Sequence, residues 1–389
     1  MTTKIAHYTL TTALGVGKQA HINPLIENRS GLQKIVITPQ AECFVGRVAG
    51  LDEIVLPAAL QHFDCRNNRL AYLSLQQDDF LTTVAKLREQ FGPERGGVFM
   101  GTSTAGILST EEAYQQSNQF SQLPAWYQYR YTQNPSSLAN FVAALTGISG
   151  PAFTLSTACS SSAKVFASAQ RALNTGMLDY ALVGGVDTLC ATTLQGFSSL
   201  QLVASEKCRP FDRHRCGINL GEAGGFALLV RGAATGDLCV LGVGESSDAY
   251  HMSSPHPEGD GAYLAMQQAL SAAGLKHTDV DYINLHGTAT IANDLAEGKA
   301  VARVFSQVPA CSSTKGFTGH TLGAAGIVEI NTCLLAIEQQ KIWANHNLTD
   351  FDSATFLTPL LTTQNTTVNI ALSNSFGFGG SNCCVLVGQ

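Results

Sequence analysis

Short apolar runs bounded by glycine recur along the chain, at Gly97–Met100, Tyr180–Val183, Phe226–Val230, Leu238–Val243, Tyr282–Leu285 and Cys384–Val387. Runs of this length predict strands buried on both faces. Between several of them, segments such as Ser162–Leu173 and Ala262–Ala273 carry apolar residues at helical spacing. The alternation predicts an α/β protein in layers, with helices covering a mostly buried sheet. Arg231–Asp237, with Gly232 and Gly236, falls between two predicted strands and is the expected boundary between two halves, 1–235 and 236–389. Each half has a strand–turn–helix passage with its most unusual polar residues at the turn, an echo too faint to establish a repeat. Tyr114–Ser137 is rich in Gln, Asn, Ser, Tyr and Pro. Its weak periodicity predicts a long loop at a subunit or pocket surface.

Composition narrows the classes. The chain has 389 residues, 45% of them hydrophobic and 13% charged, enough to bury a large core around an enclosed site. A net charge of −6 without a Lys/Arg-rich block removes the electrostatic basis for holding nucleic acid. Eleven cysteines, an odd number spread over a long chain, suit reduced thiols in a cytoplasm better than a disulfide scaffold. The first residues lack the basic start and apolar core of a signal peptide, and no run approaches the ~20 apolar residues that span a bilayer. A cytoplasmic protein without membrane insertion is expected. Neither paired CxxC nor HExxH spacing is present, so no catalytic metal is expected.

Four passages concentrate the chemistry. Thr154-Leu-Ser-Thr-Ala-Cys159-Ser-Ser-Ser-Ala163 leads from an apolar strand into an amphipathic helix. Cys159 is thus expected at a helix N-terminus, where unpaired N–H groups and the helix dipole favour thiolate and can serve a developing oxyanion. In Asp281-Tyr-Ile-Asn-Leu-His286-Gly-Thr-Ala-Thr290, a histidine stands at a strand's end, where α/β sheets keep ligands. A second histidine, His320, lies in a glycine-rich turn that opens a helix of small residues. Near the C-terminus, Asn374-Ser-Phe-Gly-Phe-Gly-Gly-Ser-Asn382 can bring backbone N–H groups and an aromatic gate near the thiol. A cysteine with one histidine fits a thiol hydrolase as well, and the residues alone leave the reaction class open.

In order, Thr157-Ala-Cys-Ser-Ser-Ser162, His286-Gly-Thr-Ala-Thr290, Lys315 to His320 with Gly323-Ala-Ala-Gly326, and Gly377-Phe-Gly-Gly380 resemble the β-ketoacyl-(acyl carrier protein) synthase family. Cys208-Arg-Pro-Phe-Asp212, Arg215 and Gly221-Glu222 extend the resemblance over nearly the whole chain. It implies a thiolase-like fold, two similar βαβ-rich halves in five α-β-α-β-α layers. It also implies decarboxylative condensation of an acyl-Cys159 thioester with malonyl-carrier protein, in fatty acid, polyketide or aryl-polyene-like synthesis. Cys159 would be the nucleophile, and His286 and His320 would stabilise the enolate. Lys315 and Glu329 would support the second histidine, and the N–H groups of Cys159 and Phe378 would form the oxyanion hole. Thr288 and Thr290 would touch the phosphopantetheine arm, and Thr104, Phe197 and Phe376 would line the acyl pocket.

The resemblance implies no intrinsic cofactor, since substrates arrive on the phosphopantetheine of an acyl carrier protein. It implies a homodimer, or a heterodimer with a chain-length-factor subunit. Two departures stand out: Ser156, where many relatives carry an acid, and an altered Gly101–Gly106 loop. With the polar Thr104 in that loop, an ordinary fatty-acyl chain length does not carry over, and a polar, unsaturated or aryl-primed chain is left open. Arg66 and Arg69, close together in a predicted helix, are candidates to meet an acidic carrier protein. The alternatives are a nucleophile-free structural partner subunit, against which all three catalytic residues speak, and a thiolase acting on coenzyme A esters. Thiolases generally use a second cysteine as base.

Overall fold

The computed structural model describes residues 3–38, 41–117 and 122–389. Two sheets dominate. Reading across the first, the strands are Gly15–Val16, Thr3–Thr12, Ala223–Arg231, Tyr180–Asp187, Gly96–Gly101 and Ala152–Leu155. Across the second they are Cys239–Ser247, Ser381–Gly388, Ile370–Gly377, Tyr282–Asn284 and Ala310–Ser312. The expected apolar runs all lie within these strands, apart from Leu238 and Leu285, which fall just outside. The alternation did not single out the long strand Thr3–Thr12.

Setting aside the short Gly15–Val16 strand, both sheets share one plan. The first strand in sequence lies at one side, then come the fifth, fourth, second and third. The pairings match as well, antiparallel on the first-strand side and parallel on the other. The echo that sequence left undecided is therefore a repeat of topology. Few side chains need be shared, because strand order is set by connections and by which faces are buried.

Helices Ser161–Asn174 and Ala325–Gln339 occupy corresponding places, each after the third strand of its sheet, and pack against each other between the sheets. Gly326 permits this contact, since a Cβ there would stand 2.6 Å from the Ala163 nitrogen. Their apolar residues, among them Val165, Phe166, Ile327 and Leu334, form one buried cluster with Val183 and Ala227 of one sheet and Ala371 and Val385 of the other. The outer faces are covered separately. Leu70, Phe80 and Phe141 cover the first sheet, while Ala265, Met266 and Val301 cover the second. The result is five layers, α-β-α-β-α, with the central helices buried on both sides.

Tyr114–Ser137 is less loop-like than composition suggests. Tyr114 to Gln116 complete helix Ile107–Gln116, Tyr129–Tyr131 form a single 3-10 turn, and Ser136 opens helix Ser136–Thr146. Residues 118–121 of that stretch lie outside the described residues. Among the described residues no helix is long and apolar enough to cross a membrane, and all eleven cysteines are free.

Candidate active site

The turn carrying Cys159 is shaped by its small hydroxyl neighbours. Ala158 takes a left-handed φ of 51°, which reverses the chain between strand Ala152–Leu155 and helix Ser161–Asn174. Ser160 Oγ donates to the Thr157 carbonyl at 2.9 Å, and Ser161 Oγ donates to that of Ala158 at 2.6 Å. The Thr157 N–H donates in turn to Ser161 Oγ at 2.9 Å. Cys159, 5% exposed, is thereby fixed at the helix start. Burial opposes the helix start's pull toward thiolate. Desolvation pushes the thiol up to about 11, against the opposing pull of the Lys315 charge and the N–H of Phe378.

Each histidine follows a strand of the second sheet. His286 comes two residues after Tyr282–Asn284, and His320 lies between Ala310–Ser312 and helix Ala325–Gln339. Those two strands are parallel neighbours, so their following turns meet at one edge of the sheet. His320 Nε2 lies 3.1 Å from Cys159 Sγ, while its Nδ1 accepts the Leu322 N–H at 3.2 Å. The two imidazoles meet edge to face, centroids 5.4 Å apart.

Lys315 corrects one expectation. Its Nζ lies 3.2 Å from His286 Nδ1 and 2.5 Å from the His286 carbonyl oxygen, and it forms an ion pair with Glu329. Its hydrogen bonds therefore go to the first histidine, not the second. Burial, followed by the Lys315 charge, holds both imidazoles well below their ordinary range, so both are neutral. With each Nδ1 facing a donor, the proton of each ring sits on Nε2. Cys159, His286 and His320 place one ligand-type atom each within 4.8 Å of one another, a spacing that suits a small cation. A protonated Nε2 has no lone pair to give a metal, and the Lys315 ammonium beside His286 repels one. The group is built to donate hydrogen bonds.

One cavity gathers the remaining walls: Phe197, Thr288, Thr290, Phe376 and Phe378 line it together with Cys159 and both histidines. Thr288 and Thr290 join hydroxyls at 2.9 Å, and Thr290 caps helix Ile291–Val304 by accepting from the Asn293 N–H. Phe376 packs against the His286 ring at 5.8 Å, and Phe378 against Phe197 at 5.6 Å. Gly377 permits the close approach of this loop to the nucleophile, since a Cβ there would stand 2.9 Å from the Thr157 oxygen and 3.2 Å from the Cys159 nitrogen.

Thr104 is not on this wall. Its hydroxyl and N–H both donate to Oδ1 of the buried Asp187 at 2.8 Å, and Thr102 Oγ1 and the Ser103 N–H join them. A buried carboxylate needs those donors, which turns Thr104 away from the cavity. Arg66 and Arg69 are likewise committed internally, Arg66 to Glu222 and Asp52, Arg69 to Asp64 at 2.6 Å. They offer no free positive patch.

Sequence reasoning missed Glu297. It is buried in helix Ile291–Val304, accepts the N–H groups of His286 and Gly287 at 2.8 Å each, and takes a further bond from Asn374 at 3.1 Å. It thus ties the His286 turn to the strand leading into Gly377. The available signal was its place beside Asp294 at i, i+3 on the buried face of an amphipathic helix.

Two family models match: the β-ketoacyl synthase N-terminal domain over residues 62–234 and its C-terminal domain over 238–349. The chain belongs to the β-ketoacyl synthase family. Such enzymes transfer acyl groups and form carbon–carbon bonds, the chemistry for which a buried thiol facing two neutral imidazoles is suited. The chain is 35% identical to a nodulation protein E of Rhizobium meliloti over 76% of each chain. It is 31% identical to 3-oxoacyl-(acyl-carrier-protein) synthase 2 of Synechocystis over 95% of this chain and 94% of the relative. Among solved structures it resembles a ketosynthase in complex with its chain length factor from Xenorhabdus doucetiae. That likeness has a TM-score of 0.90 and 37% identity, covering 100% of this chain and 98% of the other.

Proposed function

We propose that this β-ketoacyl synthase condenses an acyl group held on Cys159 with a malonyl unit, both delivered on the phosphopantetheine of an acyl carrier protein. The observation that carries the reading is the placing of Cys159 Sγ and the two imidazoles within 4.8 Å in one buried cavity. In the first half-reaction Cys159 displaces the carrier thiol, which leaves with the proton, and the acyl–sulfur bond re-forms on Cys159. The N–H groups of Cys159 and Phe378 receive the oxyanion of the tetrahedral intermediate.

In the second half-reaction the malonyl carbon–carboxylate bond breaks. CO₂ leaves, and its electron pair enters the thioester as an enolate. The Nε2–H groups of His286 and His320 donate to the enolate oxygen. Because they are neutral and preoriented, they stabilise charge that develops only in the transition state. The enolate carbon attacks the acyl carbonyl, the bond to Cys159 breaks, and the thiol is restored by a proton from solvent. Lys315 and Glu329 orient His286. Thr288 and Thr290 hold the pantetheine arm at the cavity wall, and Phe197 and Phe376 flank the acyl chain.

The division of the chain at 235/236 is proposed as the boundary between the halves, within the loop joining strand Ala223–Arg231 to Cys239–Ser247. A partner subunit, either a second copy or a chain-length-factor-like chain, is proposed at Ala152–Leu155. Among the described residues that edge strand is unpaired on one side, and it exposes Phe153. Action in the cytoplasm, in fatty acid, polyketide or polyene synthesis, fits the reduced cysteines. Intact-mass analysis tests the reading: an acyl-carrier protein should acylate wild type but not Cys159→Ala, and added malonyl-carrier protein should then release a product two carbons longer with CO₂. Unmodified wild type with every donor would overturn it.

A further inference from the structure

The short helix Ala191–Ser199 stands between two cavities. Its Phe197 faces the catalytic cavity, whereas its Ala191, Leu194 and Gln195 line a separate open groove whose walls mix Val45 and Leu108 with the charged Arg47, Arg66 and Glu112. None of its residues is buried. Its inward side chains, Leu194 and Phe197, lie on a small apolar cluster of Ile218, Leu220 and Leu322 that sits beside the catalytic cavity. Little area is lost from water there, so packing alone holds this wall weakly.

What anchors the helix comes from another element. Its cap residue Cys190 makes no side-chain capping bond, and the first two helical N–H groups instead donate to Glu111 of helix Ile107–Gln116. The Ala191 N–H reaches one carboxylate oxygen at 3.0 Å and the Thr192 N–H reaches the other at 2.6 Å. Among the described residues, these are the hydrogen bonds that tie this helix to another element. A carboxylate at a helix N-terminus also gains from the helix dipole.

We propose that Glu111 is a positioning residue that sets which acyl chains the enzyme accepts, by latching Ala191–Ser199 shut between the catalytic cavity and the groove. With the latch closed, Phe197 rests on Phe378 and the acyl chain ends at the Leu194–Phe197 wall. With it released, the wall swings and a longer chain passes over Leu194 into the groove. Glu111 touches no reacting atom; it acts through this helix, and its carboxylate also lines the groove beyond it. The inference rests on the condensing-enzyme reading, because it needs an acyl chain on Cys159.

The test is the rate of Cys159 acylation, by intact mass, with a short and a long acyl-carrier protein in wild type, Glu111→Ala and Glu111→Gln. The expected result is a rise of at least about fivefold in the long-to-short rate ratio for Glu111→Ala. Glu111→Gln, which keeps one acceptor oxygen, should fall between it and wild type and covers the case in which the alanine variant does not fold. An unchanged ratio in folded variants, judged by circular dichroism, overturns the latch while leaving the condensation intact. Wild type that takes up neither donor overturns both.

Discussion

Nζ of Lys315 lies 3.2 Å from Nδ1 of His286, with the Glu329 carboxylate paired on its other side. A donor at Nδ1 commits the imidazole to the tautomer whose proton faces the cavity. Replacing Lys315 by methionine should release the ring and slow CO₂ release from malonyl-carrier protein by about 100-fold, the scale of losing one oxyanion donor. Acylation of Cys159 should fall far less. The substitution also strands Glu329, so Lys315→Met/Glu329→Gln should be the more stable of the two variants by thermal melting.

Cys159 rests as a thiol pushed up to about 11. Alkylation by iodoacetamide should therefore climb with pH, by about tenfold per unit from pH 7 to 9.5, without levelling where a free thiol of ordinary pKa near 8.5 would. A plateau by pH 8.5 would show that the helix start outweighs burial.

His21 is buried against Thr12 and Gly17, and desolvation lowers it to about 4. The unfolded chain takes up this proton near the ordinary value of 6.5 and the folded chain only near 4. The stability it brings is therefore complete above pH 6.5 and lost as the pH falls toward 4. The shift corresponds to about 3 kcal/mol. Urea unfolding at pH 7, 5.5 and 4.5 should give a shallower pH dependence for His21→Gln than for wild type.

Gly377→Ala would set a methyl 2.9 Å from the Thr157 oxygen and 3.1 Å from the Ser381 oxygen, both backbone atoms. The Phe378 N–H should be pushed off Cys159, and acylation should drop by about 100-fold. The overpacking should cost about 1–3 kcal/mol, read as a lower denaturation midpoint.

Phe153 lies on the edge strand Ala152–Leu155 and packs its ring edge-on against Phe99 at 4.7 Å. Glutamate at this position should disfavour strand pairing with a partner subunit. Light scattering after size exclusion should then report a shift from dimer toward monomer.

Local pattern was enough to place strands at Gly97–Met100 and Tyr180–Val183, a helix over Ser162–Leu173, and the candidacy of Cys159, His286 and His320. These follow from apolar runs, helical spacing and glycine-rich turns, which neighbours along the chain impose. Only the tertiary structure decided that the halves repeat one strand order, because topology depends on which distant strands pair. It also buried Cys159, and that desolvation pushes its thiol up, against the pull of the helix start. Lys315 went to His286, not His320, because parallel strands bring their following turns together across 29 positions. Thr104, Arg66 and Arg69 were claimed by buried or neighbouring carboxylates, and Glu297 and Glu111 took positioning places. Partners of this kind are set by distances through space, and nothing in the spacing of residues along the chain encodes them.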